Sequence, residues 1–410
     1  MRRVAITGVG AVTPLGNDAE TTWERLLAGE SGIDEIKSFD TSRFPVAIAG
    51  EVKDFDATEI LPAKEARKLD PVVLYALAAA NEAQADAGVN GYRPERVGIV
   101  LGSCVGGLTQ LTDSYDVMRE RGWERVSPFF LPNMLVDAAT GQLAIQLGAR
   151  GPNCAVISAC ATGSYSVGEG AELIRRGDAD AVIAGGTEAA VHPLILSAFC
   201  AMRGLAQPTN GTPASAARPF DAKRSGFVMA EGAAVLFLEE MEQAKSRGAR
   251  IYAEVLGHGA SNDAYHMAAP DPDATGVAEM MRQALARSGV EPERVDYVNA
   301  HGTGTPLGDP AETKAIRAVF GRHADRLAVS STKSMLGHMF GAAGAVEAMV
   351  CALAIHHGVI PPTINYEDPD PACDLDYVPN EAREARVDVT LSNAMGLGGH
   401  NACVLLGRVA

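Results

Sequence analysis

Ala155-Val-Ile-Ser-Ala-Cys160-Ala-Thr-Gly-Ser164 is the stretch on which the fold turns. Its first five residues, Ala155 to Ala159, are mostly apolar and predict a buried strand. The small, turn-permissive residues that follow open a helix running toward Gly177. Strand followed directly by helix is the repeating unit of layered α/β proteins. The junction also sets a thiol at the positive end of a helix dipole, which favours the thiolate, the nucleophilic form. A lone buried cysteine is most often inert core. Cys160 gains weight only because two His-bearing segments and a Lys-bearing strand end lie downstream.

Outward from this junction, strands and helices alternate. Strands are expected at Arg3–Thr7, Val97–Leu101, Ala181–Ala184, Asp296–Ala300 and Ala402–Leu406. Asn17 with Glu20 reads as a capping box for a helix ending near Gly29. Asp70-Pro71 opens a second helix that Gly88 closes. The chain also echoes itself. Pro94-Glu-Arg-Val97 is matched by Pro292-Glu-Arg-Val295, and Val156-Ile-Ser-Ala-Cys160 by Val329-Ser-Ser-Thr-Lys333. A duplication with extra material in the first half accounts for both, and chance similarity of short strands is the alternative. Two halves are expected, residues 1–250 with the cysteine and 251–410 with the His/Lys/His set. Cys160 and Lys333 would converge where they meet.

The bulk properties narrow the field. A chain of 410 residues, 47% apolar and 21% charged, can bury a large core. Its 7 cysteines form no C-x-x-C pair, which opposes zinc and thioredoxin-type sites and suits a reducing cytosol. The start lacks the apolar core of a signal peptide. The most apolar stretch, Gly341 to Ile360, is interrupted by Glu347 and His356-His357, so no membrane span is expected. A net charge of −16 opposes binding to nucleic acid or an anionic membrane. Thr7-Gly-Val-Gly10 after a strand resembles a dinucleotide loop, but Thr13-Pro14 replaces the third glycine, and that reading is set aside.

Three further clusters carry chemistry. Asn299-Ala-His301-Gly-Thr-Gly-Thr-Pro306 brings a histidine to a glycine-rich turn, where a structural turn histidine is the bland alternative. Ser331-Thr-Lys333-Ser and Gly337-His338 precede a small-faced helix with Glu347, a plausible buried partner for Lys333. Ser392-Asn-Ala-Met395-Gly-Leu397-Gly-Gly399 frees backbone N–H groups for an oxyanion hole, or is a plain turn before the last strand. Cysteine, two neutral imidazoles and lysine together suit decarboxylative carbon–carbon condensation. The cysteine holds an acyl thioester, the imidazoles hold enolate charge, and a dry pocket suppresses hydrolysis.

Over essentially its whole length the chain resembles the β-ketoacyl-acyl-carrier-protein synthases, type II elongating condensing enzymes of the thiolase superfamily. The resemblance rests on Gly151-Pro152, Ala159-Cys160-Ala-Thr-Gly163, Ala184-Gly-Gly-Thr-Glu188 and Arg218-Pro-Phe-Asp221. It continues in His301-Gly-Thr-Gly-Thr-Pro306, Ser331-Thr-Lys333-Ser, Gly337-His338, Pro361-Pro-Thr-Ile-Asn365 and Gly398-Gly-His-Asn401. It implies a thiolase-like α/β fold, five-layered α/β/α/β/α, with two pseudo-symmetric βαβαβαββ-type halves. It implies a cytoplasmic homodimer that condenses an acyl group on Cys160 with malonyl-acyl carrier protein in fatty acid elongation. No cofactor of its own is implied, because the phosphopantetheine arm arrives on the carrier protein.

By the same resemblance Cys160, His301, His338 and Lys333 are catalytic and Glu347 is the buried acid. Backbone N–H groups of Cys160 and Leu397 form the oxyanion hole. Thr303 and Thr305 meet the phosphopantetheine arm, while Phe199, Val105, Phe130, Leu397 and Met395 border the acyl channel. Lys64, Arg67, Lys68, Arg125 and Arg203 are docking candidates for an acidic carrier, with a solvated helix face as the alternative for the first three. Asn299, Glu347, Ser392 and Asn393 match positions that hold a monovalent cation in some relatives. The chain departs from the family at Leu397 and Met395, usually Phe, at Ser225, usually Asp, and at Cys104, often Gly or Thr. Those departures motivate the rival reading, a ketosynthase subunit of a type II polyketide or polyene synthase paired with a chain-length-factor-like subunit. A thiolase is opposed by the His-Lys-His set, and a non-catalytic scaffold by Cys160.

Overall fold

The computed structural model describes residues 2–89, 91–208 and 211–409. Ten strands form its main sheet: β1 (Val4–Val12), β2 (Val97–Gly102), β3 (Asn153–Cys154), β4 (Ala181–Glu188), β5 (Gly232–Glu240), β6 (Ala253–Asn262), β7 (Tyr297–Asn299), β8 (Ala328–Ser330), β9 (Val389–Gly396) and β10 (His400–Gly407). Their order is β8-β7-β9-β10-β6-β1-β5-β4-β2-β3. The strands divide into two sets of five with one topology. In each set, the order from the outer edge inward is third, second, fourth, fifth, first. Among the described residues the ladder passes between the sets through β1 and β6, at Ala5↔Glu254 and Ile6↔Ala253. The echo at Pro94 and Pro292 is structural, since each opens a short 3-10 turn before its half's second strand.

Helices make the remaining layers. Outside the first half lies α1 (Pro71–Ala87), begun by an Asp70 cap and ended by Gly88 in the left-handed conformation. Between the halves run α2 (Thr162–Arg176) and α3 (Ala343–His357), each packed on strands of both sets. Outside the second half lie α4 (Gly308–Phe320) and a helix over Thr275–Ser288. The five-layered architecture is thus present. The two central helices meet at small residues. A Cβ on Gly163 would stand 2.4 Å from the Ala345 backbone nitrogen, and one on Gly344 would stand 2.7 Å from that of Ser164. α3 belongs to the one segment among the described residues, Phe340–His357, long and apolar enough to cross a membrane, but 89% of it is buried inside the protein.

Three local expectations are corrected. Ala155–Ala159 is not a strand. β3 stops at Cys154, and the chain then leaves the sheet, crossing so close to the end of β2 that a Cβ on Gly102 would stand 2.0 Å from the Val156 carbonyl oxygen. Ala159 has φ +49°, which an extended ladder cannot take up. The echo of Val156–Cys160 in Val329–Lys333 is out of register, since Val329 lies within its strand and Val156 beyond its own. Asp18, not Asn17, caps the first helix, accepting from the Thr21 N–H at 2.6 Å. The dinucleotide-like glycines are packing sites inside β1. A Cβ on Gly8 or Gly10 would stand 2.0 Å from the carbonyl oxygen of Ala83 or Ala79 on α1.

Candidate active site

Cys160 stands two residues before α2, in a loop tied down by the Thr162 hydroxyl, which accepts from the Ser158 N–H at 2.9 Å. The β9–β10 hairpin backs onto it. A Cβ on Gly396 would stand 3.0 Å from the Cys160 nitrogen, and the turn bends back through Gly398 and Gly399 at φ +84° and +75°. The backbone N–H groups of Leu397 and of Cys160 itself both reach the sulfur, the paired donors an oxyanion hole needs. The thiolate expectation is corrected. Burial pushes the Cys160 thiol up to about 12, outweighing those two donors and Lys333. The resting sulfur is therefore a thiol, and its proton has to leave as it attacks.

His301 and His338 face one another across the site, ring centroids 5.2 Å apart and planes at 89°. Both are buried. Desolvation, reinforced by the Lys333 charge, holds each imidazole well below its ordinary value, so both are neutral at pH 7. The His301 turn is held by Glu312 on α4, which accepts the N–H of His301 and of Gly302 at 2.8 Å each. His338 is fixed by its N–H to the Val228 carbonyl at 2.7 Å, with Phe227 and Phe340 against its ring. Lys333 pairs with Glu347, their side chains 3% and 2% exposed. Burial pushes the Glu347 carboxyl up to about 7 against the pull of that ammonium.

Cys160, His301 and His338 share one cavity of about 530 Å³. Of the residues expected around it, Phe199, Thr303, Thr305, Met395, Leu397 and Arg203 line it. Val105, Phe130, Lys64, Arg67, Lys68 and Arg125 do not line the cavity of this chain. The helix expected under Lys64, Arg67 and Lys68 covers only Ala63–Ala66, and Lys68 pairs with Glu65. Val105 lies beside a buried acid, Glu188, which accepts from the N–H groups of Cys104 at 2.8 Å and Gly341 at 3.0 Å.

Sequence reasoning missed Glu312, although its place nine residues before Gly321 on an amphipathic helix gave no sign of what it holds. It also missed Asp263 and His266, which line the cavity from the irregular segment after β6. Among the described residues no group of three or more His, Cys, Asp or Glu is placed for a metal ion. The oxygens expected around a monovalent cation do fit one. Asn299 Oδ1, Glu347 Oε2, Ser392 Oγ and Asn393 Oδ1 are all buried without a hydrogen-bond partner, and Ser392 lies opposite Asn299 in the β7–β9 ladder.

Comparisons with known proteins agree with this geometry. Residues 1–244 match the family model for the beta-ketoacyl synthase N-terminal domain, and 252–367 that for the C-terminal domain. The chain is 49% identical over 410 residues to 3-oxoacyl-[acyl-carrier-protein] synthase 2 of Coxiella burnetii, covering 100% of this chain and 99% of that one. It is 48% identical over 406 residues to the protein of that name from Staphylococcus aureus strain N315, covering 98% of each. Among solved structures, the ishigamide ketosynthase/chain length factor superposes with TM-score 0.91 at 38% identity, with 100% of both chains covered. A beta-ketoacyl synthase from Burkholderia phymatum STM815 also gives 0.91, at 34% identity and the same coverage.

Proposed function

The chain belongs to the beta-ketoacyl synthase family, and we propose that it condenses an acyl group held on Cys160 with malonyl-acyl carrier protein, yielding 3-oxoacyl-acyl carrier protein and CO2 in fatty acid elongation. The observation that carries this reading is a single apolar-walled cavity in which a thiol meets two imidazoles held neutral. In the first half-reaction Cys160 Sγ attacks the thioester carbonyl of the acyl carrier. Charge develops on that oxygen between the N–H groups of Cys160 and Leu397. The carrier thiol leaves with the proton the cysteine gave up. In the second, the malonyl thioester oxygen lies against His301 and His338. Neutral imidazoles donate N–H there, so loss of CO2 leaves an enolate they stabilise. The enolate carbon attacks the acyl-cysteine carbonyl, and Cys160 departs.

Lys333 and Glu347 act behind the two imidazoles. The ammonium adds to burial in keeping both rings uncharged, and the carboxylate keeps the ammonium from being buried alone. A monovalent cation bound by Asn299, Glu347, Ser392 and Asn393 would add fixed positive charge and join the ends of β7 and β9 to α3. Thr303 and Thr305 at the cavity wall suit the phosphopantetheine arm, and Arg203 at its mouth suits an acidic carrier. Lys64, Arg67, Lys68 and Arg125 are further docking positions on the same logic.

A homodimer is supported by the open edge of β3, whose two residues are exposed, and by exposed Trp123, Phe129, Leu131, Leu135 and Ile145 in the preceding segment. Seven free cysteines suit a reducing cytoplasm. The fatty acid reading is preferred to the polyketide one because relatives named 3-oxoacyl-[acyl-carrier-protein] synthase 2 share 48–49% of residues, against 38% for the ishigamide ketosynthase/chain length factor. The test is the chain purified alone with acyl- and malonyl-carrier protein. Stoichiometric 3-oxoacyl product and CO2 are expected; silence until a second, cysteine-less subunit is added would sink this reading.

A further inference from the structure

The geometry points to His266 as a binding residue at the cavity mouth, donating Nε2–H to an acceptor oxygen of the arriving pantetheine-type arm. This rests on the condensing function above and adds a recognition element to it. His266 lines the cavity from the loop after β6, on the side that carries the exposed Met267. Its Nδ1 receives two backbone N–H groups, from Ala268 and Ala269, each at 3.0 Å. A ring nitrogen that accepts cannot also carry a hydrogen, so the hydrogen belongs on Nε2. The loop thus makes the imidazole a one-way donor through Nε2, which has no hydrogen-bond partner among the described residues.

The loop is anchored as well. The Gly398 N–H donates to the Met267 carbonyl at 2.8 Å, and the Asp263 N–H to that of Gly399 at 2.9 Å. His266 therefore holds a fixed position relative to the turn bearing Leu397. A substrate arm leading out past Thr303 and Thr305 offers acceptors at intervals, two amide carbonyls and a phosphodiester among them. A fixed donor at the mouth matches either.

Two substitutions separate donor from loop cap. The Asn side-chain oxygen replaces Nδ1 and leaves nothing at Nε2; the Gln amide reaches the Nε2 position and leaves Nδ1 empty. With malonyl-carrier protein as the varied substrate, H266N is expected to raise KM about five- to tenfold, the worth of one neutral hydrogen bond, with kcat within twofold. H266Q is expected to stay within twofold of the parent in both. Loss in H266Q with none in H266N would make His266 a loop cap only, and an unchanged KM in H266N, or a fall in kcat instead, equally overturns the inference. Malonyl-pantetheine, which lacks the phosphodiester, locates the acceptor: a persisting H266N penalty assigns it to an amide, a vanished one to the phosphodiester, and both uphold the donor. Parent enzyme that condenses normally keeps these outcomes separate from a failure of the condensing function itself.

Discussion

Replacing Lys333 by Met removes one charge and keeps most of the side chain's volume. Both Lys333 and Glu347 are nearly inaccessible, so the substitution leaves a carboxyl buried without its partner. Breaking a buried pair this way costs about 3–5 kcal/mol. The loss depends on pH in a stated direction. Glu347 already stands at about 7 against a free value of 4.5, and Lys333 is what pulls it down. Without Lys333 the folded value climbs further. An acid whose folded value exceeds its unfolded value binds more protons folded than unfolded, so stability falls as pH rises from 4.5 through the folded value. The variant should therefore lose more at pH 8 than at pH 6 by urea titration. The double variant K333M/E347Q, with no charge left to bury, should recover most of the loss. Kinetics give an independent reading. Lys333 depresses both His301 and His338, so removing it lets both rise toward 6.5, and the acid limb of kcat/KM moves to higher pH in the single and double variants alike. A stability loss below about 1 kcal/mol at pH 8, with an unmoved acid limb, would refute the coupling of this pair to the imidazoles.

Gly163→Ala drives a methyl group against the Ala345 backbone and should lower stability by about 1–3 kcal/mol in urea titration, whereas a neutral result would mean that the central helices are not in fixed contact. Leu397→Phe puts a larger side chain over the cavity and should change the acyl chain-length profile of Cys160 acylation; identical rates across a C6 to C16 series would show that Leu397 is no gate. Leu131→Asp with Ile145→Asp places charge on two side chains that are 63% and 77% exposed in one chain, so the fold should survive while sedimentation shifts from dimer to monomer. A dimer that persists would place the interface elsewhere.

Much of the site was legible because its groups sit on motifs with local causes. Glycines flank His301, His338 and Leu397 where backbone must turn or approach closely, and the strand ends that carry them alternate with helices. The two-half topology was legible at Pro94 and Pro292, each opening a turn before a second strand. The Cys160 strand was misread because five mostly apolar residues suit a crossing loop as well as a ladder. What sets φ +49° at Ala159 is the tertiary fit of hairpin and loop, which no local pattern encodes.

 

The ionisation of Cys160 was misjudged for a related reason. The helix start and two N–H donors do favour the thiolate, but burial outweighs them, and burial is not written in the ten residues around the sulfur. Glu312 and His266 escaped notice because each works through backbone N–H groups brought to it by the fold, Glu312 across eleven and ten positions and His266 through its own loop.

The central claim is a covalent acyl group on one sulfur, and intact-mass spectrometry tests it most directly. Incubated with acyl-carrier protein and no malonyl donor, the chain should gain the mass of one acyl group, mapped to the peptide bearing Cys160, and C160A should gain none. Acyl mass on another residue, or full condensing turnover by C160A, would contradict the account.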